Sequence, residues 1–487
     1  MPQQTMPITF IKGDEIGSET DYRDSLPVNM TAIERPNFGA HGYMLQTPGL
    51  TRVTNSSGEV TFPCKGAVWN ENEGLQFRAF GDSNGGQIEL AVYDGLGGIS
   101  FSLVGFWNDD TSLPVSLPYS FNTQGLVAKG NFHLITVSPP SFKTGGVEID
   151  PLFVGTIDAV WIDGYYFLTN GETLYHTELA DEGVVQASES TAQFSPDPIL
   201  GLGKTQDNKV IVFGRYTIEY FDNVGSIGFA FRRLEGRAVT SGIVATHAKC
   251  ELMGRWFYCG GRKSEGLGIH VLNGTIPERV STREIEKVLG QYSELDLVNM
   301  NMESRSEDGV DYLIVHLPNE TLQFNVTVSQ KFGVANGWSI LKTGLGSDIW
   351  RANYGMFDTV LADWIYGDEY DGRVGKLDST VSAQYDEVQE WVLFTPFIYL
   401  EDASIDELNI ETMPGHTSVD DATVFISISY DGVTHGTEYV KEYGHPFDYS
   451  KRFITYRHGY VRDWFSFKLR AASRSRMGFG MAKIKYG

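Results

Sequence analysis

Short apolar runs that alternate with tight-turn residues dominate the hydrophobic pattern of this chain. Asn-Gly and Asp-Gly pairs separate many of the runs, and these residues tolerate the positive φ that two-residue hairpin turns require. Nine such pairs are spread along the sequence: Asn84-Gly85, Asp94-Gly95, Asp163-Gly164, Asn170-Gly171, Asn273-Gly274, Asp308-Gly309, Asn336-Gly337, Asp371-Gly372 and Asp431-Gly432. The pattern predicts antiparallel β-structure along the whole chain.

A unit of three strand-like runs recurs from about Gly66 to Asp378. Each unit has an apolar run, a polar turn, a strongly apolar run, a second turn and a run that ends in aromatic residues. The units include Ile157–Tyr175, Ile199–Phe221 and others that begin near Gly242, Leu297 and Trp350. A spacing of roughly 40 to 50 residues is typical of β-propeller blades, whose apolar faces are buried by radial stacking. We expect six or seven blades.

Both ends of the chain depart from this repeat. The first 60 residues are punctuated by Pro and Gly, and we expect an extended arm that begins or closes the propeller. After Asp378 the repeat fades, but alternating strands continue, as in Thr423–Ser429. The sequence therefore predicts an all-β chain with an N-terminal arm (1–60), a β-propeller (61–380) and a C-terminal β-sandwich-like domain (381–487).

One helical pattern interrupts the strands. Ser281 and Glu284 have the spacing of a capping box. The apolar face that follows at helical spacing consists of Ile285, Val288, Leu289 and Tyr292. We expect this helix to pack on a blade edge, and a contact with a neighbouring subunit through Glu284 and Tyr292 is the alternative.

Composition limits the class of protein. A chain of 487 residues with 41% hydrophobic content can bury a large core. It has no run of about 18 apolar residues, so we expect no membrane anchor, and its N-terminus lacks the features of a signal peptide. Cys64, Cys250 and Cys259 are odd in number and widely spaced. Their spacing fits a reducing compartment at synthesis and argues against a disulfide scaffold or a thiolate metal site.

The net charge of −24 is unevenly distributed. From Lys441 to Gly487 there are eleven Lys or Arg and three acidic residues, a net charge of +8, so the other 440 residues carry −32. An acidic body repels nucleic acid at the level of the whole molecule. The basic end is expected either to dock on an acidic partner or to pair with the acidic body of its own chain.

Three segments carry candidate chemistry, and each has a simpler interpretation. Gly201–Thr205 resembles part of a phosphate-binding loop, but a strand follows it and the first glycine is missing, which favours a blade turn. Ser429–Thr434 is similar to a sialidase Asp-box but occurs once, which favours a plain hairpin. The acidic residues Asp368, Glu369 and Asp371 lack regular calcium-ligand spacing, which favours a solvated turn.

No motif for catalysis is present in the sequence. It has no H-E-x-x-H, no helical His pair and no G-x-S-x-G elbow. Aromatic residues make up 13% of the chain, which fits blade packing and leaves a sugar-binding groove as an alternative. We therefore expect no catalytic residues, no cofactor and no metal.

Six segments resemble, in order, the packaged-DNA stabilisation proteins, which are the tail hubs of short-tailed bacteriophages. The strongest resemblance lies in Ala383–Ile398, A-Q-Y-D-E-V-Q-E-W-V-L-F-T-P-F-I. The other five are Asp21–Met30, Thr47–Leu50, Val212–Phe221, Trp338–Leu345 and the basic segment Tyr449–Leu469. The matches are patchy between Thr54 and Pro196, so no family detail is carried over to that region.

The resemblance implies a structural virion protein, made in the host bacterial cytoplasm. It implies a homo-hexameric hub or nozzle below the portal and its adaptor ring, which closes the DNA exit channel, retains packaged DNA and forms the conduit for ejection. A tail needle or plug, and tailspikes or fibres, are the further partners that it implies, with genomic DNA passing without sequence-specific binding. The alternative is a β-propeller glycan-binding protein or glycoside hydrolase, which needs paired carboxylates in a central pocket.

The basic end supplies the candidate contacts to a neighbouring hub subunit or to the adaptor ring. They are Lys451, Arg452, Arg457, Arg462, Lys468 and Arg470. Aromatic residues lie between these cations, namely Phe453, Tyr456, Trp464 and Phe465. Because side chains alternate across a strand, we expect one face to bury the aromatics and the other to present the cations.

Overall fold

The computed structural model describes residues 3–8, 10, 25–34, 42–53, 61–95, 97–107, 111–142, 155–179, 181–191, 196–346, 348–417 and 422–487. The prediction that falls on Asp21–Asp24, within the second family-like segment, lies outside these residues. The N-terminal strands are β1 (Gln4–Ile8), β2 (Met30–Ile33), β3 (Tyr43–Gln46) and β4 (Gly49–Arg52).

Seven sheets within the described residues form the blades of a propeller. Blade one contains β5 (Cys64–Asn70), β6 (Leu75–Asp82), β7 (Gly85–Tyr93) and β8 (Ile99–Trp107). Blade two contains β9 (Thr123–Ala128), β10 (Asn131–Val137) and β11 (Pro140–Phe142). Blade three contains β12 (Asp158–Ile162), β13 (Tyr165–Thr169), β14 (Thr173–Glu178) and β15 (Asp181–Thr191). Blade four contains β16 (Ile199–Lys204), β17 (Val210–Gly214), β18 (Ile218–Asn223) and β19 (Phe231–Arg233).

The remaining blades follow in chain order. Blade five contains β20 (Gly242–Ile243), β21 (Lys249–Leu252), β22 (Arg255–Gly261), β23 (Gly268–Asn273) and β24 (Ile276–Arg279). Blade six contains β25 (Asn301–Glu307), β26 (Val310–His316), β27 (Thr321–Asn325), β28 (Trp338–Thr343) and β29 (Asp348–Ile349). Blade seven contains β30 (Ala352–Asp358), β31 (Asp363–Asp368) and β32 (Val374–Asp378), with β4 as its outermost strand.

Hydrophobic clusters between neighbouring blades close the propeller. Phe167 of blade three, for example, packs with Val212 and Phe221 of blade four. The last cluster joins Cys64 and Phe80 of blade one to Ile365 of blade seven, so the ring of blades is complete. The predicted propeller is therefore confirmed, with seven blades among the described residues.

The C-terminal domain is a sandwich of two antiparallel sheets. Its strands are β33 (Gln389–Phe394), β34 (Ile398–Tyr399), β35 (Ala403–Thr412), β36 (Thr423–Ser429), β37 (Tyr439–Glu442), β38 (Phe453–Val461), β39 (Trp464–Ser473) and β40 (Gly478–Tyr486). One sheet has the order β2-β3-β40-β35-β38 with β1 on β40, and the other has the order β33-β39-β36-β37 with β34 on β39. The described parts of residues 1–60 thus supply strands to both domains, and the divisions at 60 and 380 stay proposals.

The turn prediction holds at eight of the nine Asn-Gly or Asp-Gly pairs, each of which joins two paired antiparallel strands. Asn336-Gly337 is the exception, because it lies in a 3-10 turn, Val334–Asn336, at the start of β28. Gly201–Lys204 lies within strand β16, and the turn itself follows at Thr205. Ser429–Thr434 forms a tight turn in which Asp431 Oδ1 accepts from the amides of Val433 and Thr434.

The helix prediction needs two corrections. Helix α1 (Arg283–Leu289) buries Ile285 and Leu289 as expected, but its N-cap is Thr282, and no capping box forms. The Ser281 hydroxyl instead donates to Glu286 Oε1 at 3.1 Å, since the chain enters the helix one residue later than the motif requires. The sequence reading also missed a second helix, α2 (Val326–Phe332), whose N-cap Asn325 accepts from the Val328 amide. A further 3-10 turn spans Asp296–Asn299.

Candidate functional site

Four of the six family-like segments meet where the propeller joins the sandwich. We call this region the interdomain junction, and it consists of Pro27–Asn29, Thr47–Leu50, Trp338–Gly344 and Ala383–Val392. The Val28 amide donates to the Val392 carbonyl at 2.8 Å, and the Val392 amide donates back to Val28 at 3.0 Å. On the other side, the Asn29 amide donates to the Ile340 carbonyl at 2.8 Å. The short segment therefore joins β28 of blade six and β33 of the sandwich through backbone hydrogen bonds.

Asn29 is the central side chain of the interdomain junction. It is fully buried and has a φ of 51°, a left-handed conformation that Asn adopts more readily than most residues. Its side-chain amide donates to the Glu390 carbonyl at 2.8 Å and to the Lys342 carbonyl at 3.2 Å. Its Oδ1 accepts from the Lys342 amide at 2.9 Å. One side chain thus satisfies backbone groups of both domains.

The most family-like segment, Ala383–Ile398, forms the other half of the interdomain junction. The Ala383 carbonyl accepts from the Leu50 amide at 3.0 Å, next to the strand that closes blade seven. Gln384 accepts from the Thr343 hydroxyl at 2.8 Å and donates to Gln389 at 2.6 Å. Further along, Trp391 is fully buried in the sandwich core. The segment therefore runs from the last blade into the sandwich, with the Gln384 side chain hydrogen-bonded to Thr343 and Gln389.

Arg351 borders the interdomain junction and lies beside the acidic residues that were candidates for a calcium site. Buried Arg351 donates to Asp368 at 2.6 Å and lies 3.7 Å from Asp371. Burial raises the pKa of Asp368, although Arg351 opposes that shift. Glu369 accepts from Asn353 at 2.7 Å. Because each carboxylate has a protein partner, these residues act as ion-pair and hydrogen-bond acceptors in the described structure.

The propeller contains a cavity of about 650 Å³ that is lined by residues of the inner strands of its blades and by the segment before β9. Asp158 is buried there, lies 2.9 Å from Lys249 of blade five and accepts from the Leu202 amide of blade four at 2.8 Å. Burial would raise the pKa of Asp158, but the charge of Lys249 and the surrounding donors hold it below its usual value. This carboxylate ties together three blades.

Two other carboxylates, those of Glu303 and Glu251, line the cavity with Asp158. Glu303 accepts from His316 at 2.9 Å through one oxygen and from the Gly355 amide at 2.7 Å through the other. Glu251 lies near the end of β21, two residues beyond Lys249. A glycoside hydrolase needs two carboxyl groups that are free to act on one bond. Two of these three described carboxylates are already committed to structural contacts.

The predicted basic contacts are divided between the two sheets of the sandwich. Arg457 lies on β38 at the edge of one sheet, whereas Lys468 and Arg470 lie on β39 of the other. Arg470 donates to Glu438 at 2.6 Å and lies 3.3 Å from Glu390, and Lys451 lies 3.1 Å from Glu442. These two cations therefore pair within the chain, and Lys468 is half-buried.

The exposed cations are Arg452, Arg457 and Arg462, on and beside β38. The expected burial of the aromatics is right for Phe453 and Phe465 and wrong for Tyr456 and Trp464, which are exposed. Tyr456 is three residues beyond buried Phe453 on β38, so regular alternation places it on the opposite face, and Trp464 is the first residue of β39, next to buried Phe465. We call Arg452, Tyr456, Arg457, Tyr460 and Arg462 the β38 surface.

Two tyrosines that the sequence reading missed support the β38 surface. The Tyr439 hydroxyl donates to the Arg457 carbonyl at 2.9 Å, and the Tyr430 hydroxyl donates to the His458 carbonyl at 3.3 Å. These bonds occupy carbonyl groups that an edge strand would otherwise offer to another strand. Tyrosine and arginine are enriched at protein–protein interfaces. The alternation of aromatic residues with cations along β38 was visible in the sequence. The contacts that Tyr430 and Tyr439 make with this strand depend on the fold.

The predicted helix contacts, Glu284 and Tyr292, are both half-buried. Tyr292 packs against the cluster between blades five and six. The more accessible side chain of this insertion is Leu295, which is 86% exposed and which the sequence reading missed. A subunit contact through Glu284 and Tyr292 remains a proposal.

Comparison with known families covers nearly the whole chain. The family described as "Bacteriophage P22 Gp10, beta-propeller" matches residues 4–382. The family described as "Bacteriophage P22 Gp10, beta-sandwich" matches residues 390–487. The chain belongs to the P22 Gp10 family of bacteriophage tail hub proteins. The resemblance noted in the sequence is therefore confirmed, and this tail hub is a structural component of the virion.

One curated relative of this tail hub is the "Tail hub protein gp10" of Salmonella phage P22. The two are 28% identical over 496 residues, covering 100% of both chains. Its full-length match includes both the propeller and the sandwich. Among the described residues, no helix is long and apolar enough to cross a membrane.

Two solved structures have a weak similarity to this tail hub. A streptogramin B lyase covers 68% of this chain and 98% of its own, with 11% identity and a TM-score of 0.42. The WD40 domain of Pan2 from Neurospora crassa covers 70% of this chain and 99% of its own, with 9% identity and a TM-score of 0.43. Likenesses this weak carry no argument about activity.

Proposed function

We propose that six copies of this tail hub form a ring below the portal and its adaptor ring. The ring closes the DNA exit channel after packaging, retains the DNA and becomes the conduit for its ejection. The observation that supports this proposal most directly is the full-length match of both domains to the P22 tail hub protein. The proposal also includes a needle or plug at the far end of the ring and tailspikes or fibres on its outside. It includes no catalytic step.

The interdomain junction supports a role under mechanical load. Packaged DNA pushes outward on any structure that closes its exit, so a hub subunit must not hinge between its domains. Backbone hydrogen bonds connect blade six to the sandwich through Val28 and Asn29, and Asn29 adds side-chain bonds to both. Helix α2 strengthens the connection, since its Val328 lies in the sandwich core.

The uneven charge supports both the conduit and the ring. An acidic wall adheres weakly to phosphates, so DNA slides along it. A ring of more than two copies also needs two different complementary surfaces on each subunit. The β38 surface supplies a cationic, tyrosine-rich surface, and the acidic body, at −32 outside the last 47 residues, supplies the opposite charge. Complementary charge fixes register and speeds docking.

Charge reversal on the β38 surface tests this proposal. The variant Arg452→Glu, Arg457→Glu and Arg462→Glu changes three exposed side chains, so we expect it to fold and yet to fail to join particles. The matched control is Arg232→Glu, Arg237→Glu and Lys263→Glu, which reverses three exposed cations on the propeller. We expect this control to assemble normally.

The readouts are the mass of hubs extracted from virions and the retention of DNA by the heads. Wild-type particles should contain six copies, and heads made with the β38 variant should leak DNA. A monomeric or dimeric hub in the particle would contradict the proposed ring of six copies. Normal assembly of the β38 variant together with lost binding to DNA fragments would make this surface a nucleic-acid site.

A further inference from the structure

The residues at the mouth of the propeller cavity have no part in the function proposed for this protein in the tail. The first strands of the blades run in the same direction along the axis, so their residues form successive levels. Asp158, Leu202 and Lys249 are joined by hydrogen bonds and lie on one level. Trp161 and Lys204 lie on the next level towards the strand ends, where the Lys204 ammonium is 5.8 Å from the Trp161 ring.

The charged groups of the inner level are engaged in hydrogen bonds and an ion pair. Asp158 accepts from Ser116 at 2.7 Å as well as from Lys249 and the Leu202 amide. The cavity of about 650 Å³ lies within the size range of small-molecule sites, and the exposed side chain of Phe121 is part of its lining.

Aromatic rings form one wall of the outer level. Phe121 and Trp161 meet edge to face with their centroids 5.2 Å apart. Phe121 is 60% exposed. Trp256 lies opposite, with its indole N–H donating to the Lys204 carbonyl at 3.0 Å. The wall thus presents apolar ring surfaces to the cavity.

Polar groups face this wall. Glu251 and Lys204 both line the cavity, yet their side chains are more than 4.0 Å apart and form no ion pair with each other. Desolvation raises the pKa of the Glu251 carboxyl, and Lys204 opposes that shift. Asn72, which donates to the Ser120 carbonyl at 3.2 Å, adds an amide to the rim. The mouth therefore combines aromatic rings with hydrogen-bond donors and acceptors of both charges.

We propose that the propeller mouth around Phe121, Trp161, Lys204 and Glu251 binds a short saccharide. A saccharide has apolar C–H faces that stack on aromatic rings and hydroxyl groups that both donate and accept hydrogen bonds. Binding occurs without hydrolysis, because Asp158 and Glu303 are engaged in the contacts described above and leave Glu251 without a carboxyl partner.

Saturation-transfer NMR on the full chain tests the proposal with three probes. They are maltotriose, tri-N-acetylchitotriose and the core oligosaccharide of a Gram-negative lipopolysaccharide. We expect at least one probe to bind at millimolar concentration. Phe121→Ala should weaken that binding about tenfold, which corresponds to about 1.4 kcal/mol. Phe106→Ala is the matched control, since it removes a 71% exposed ring from blade one outside the cavity, and its binding should equal that of wild type.

A second variant and a crosslinking experiment complete the test. Lys204→Met should weaken binding while thermal unfolding stays unchanged. Failure of all three probes to bind, or equal loss in Phe121→Ala and Phe106→Ala, would overturn the proposal. Benzoylphenylalanine placed at position 121 should give no protein crosslink in intact virions. A crosslinked virion protein would show that a protein segment fills the mouth instead.

Discussion

At the scale of single residues, the Asn29 side chain connects the propeller to the sandwich. It is the only described side chain that bonds to both Lys342 of blade six and Glu390 of the sandwich strand β33. The residue type fits for two reasons, because its amide both donates and accepts and because it tolerates positive φ. Neither reason is visible in the sequence until the partners are known.

We predict that Asn29→Ala destabilises the protein by about 2 to 3 kcal/mol, because the Lys342 amide and the Glu390 carbonyl lose this partner and the Lys342 carbonyl keeps only Gln384. Asn29→Gly removes the same bonds without the left-handed strain, so it should be about 1 kcal/mol less harmful than the Ala variant. Thermal unfolding followed by near-ultraviolet circular dichroism measures both. Wild-type stability in either variant would show that the interdomain junction does not depend on this side chain.

Buried histidines make stability depend on pH above the range in which carboxylates titrate. Burial, with the nearby charge of Lys249, lowers the pKa of His247 to about 4. Burial and Arg279 lower the pKa of His270 to about 4. Both groups have an unfolded pKa of about 6.5. The unfolded state therefore binds more protons between these values, so stability is fully present above pH 6.5 and is lost as pH falls.

We predict that the wild type loses about 2 kcal/mol for each of these histidines between about pH 6.5 and 5. The double variant His247→Gln, His270→Gln should lose much of this pH dependence. Denaturant midpoints at several pH values measure it. A wild-type midpoint that is flat from pH 7 to 5, or one that rises on acidification, contradicts the prediction.

At the scale of elements, strand β4 closes the propeller and also touches the interdomain junction. It pairs with β32 of blade seven, from Gly49 opposite Asp378 to Arg52 opposite Gly375. The Gly49 amide donates to the Val381 carbonyl at 2.8 Å. A side chain at Gly49 would lie 2.2 Å from the Ala383 carbonyl oxygen, a backbone atom that cannot rotate away. Close packing of two backbones therefore requires glycine here.

We predict that Gly49→Ala destabilises the protein by about 2 to 3 kcal/mol through this overlap. Gly266→Ala is the matched control, because its side chain would meet open space and its φ is not in the left-handed region. The control should change stability by less than about 0.5 kcal/mol. Equal midpoints for the two variants in thermal unfolding would mean that β4 moves aside without cost.

Elements also show where sequence reasoning succeeds and where it stops. The blades were predictable because turn residues such as Asp163-Gly164 mark strand pairs that are local in the chain. Helix α2 was missed because its β-branched residues Val326 to Val328 favour a strand, and contacts with blade six and the sandwich override that preference. The capping box failed because Thr282, one residue later, starts helix α1.

At the scale of the whole molecule, the interdomain junction was recognised as separate motifs but not as one site. The segments of this junction are up to about 360 residues apart in the chain, as Pro27–Asn29, Thr47–Leu50 and Ala383–Gln389 show. Long-range pairing of this kind leaves no periodic signal in a single sequence. The charge division was predictable from composition. The ion pairs that these charges form were not predictable, because Arg470 pairs with Glu438 only when the sandwich brings β39 and the segment before β37 together.

The arrangement of the N-terminal strands leads to a prediction about the intact chain. Strands β1 to β3 lie in a sandwich sheet with β40 and β35, whereas β4 belongs to blade seven. The sandwich therefore needs residues from both ends of the chain. If the chain is divided after residue 380, fragment 1–380 retains β1 to β3 and Asn29, and fragment 381–487 retains the strands that pair with them.

We predict that fragment 381–487 does not unfold cooperatively by itself but binds fragment 1–380 in a 1:1 complex when the two are produced together. Asn29→Ala in fragment 1–380 should weaken the complex at least about tenfold, since a loss of 1.4 kcal/mol already has that effect. Gly266→Ala in the same fragment should leave the affinity unchanged. Analytical ultracentrifugation measures the complex, and calorimetry measures the cooperativity. A fragment 381–487 that unfolds in a sharp transition and does not bind fragment 1–380 would show that the sandwich is an autonomous domain. That result would also contradict the role under mechanical load that is proposed for the interdomain junction.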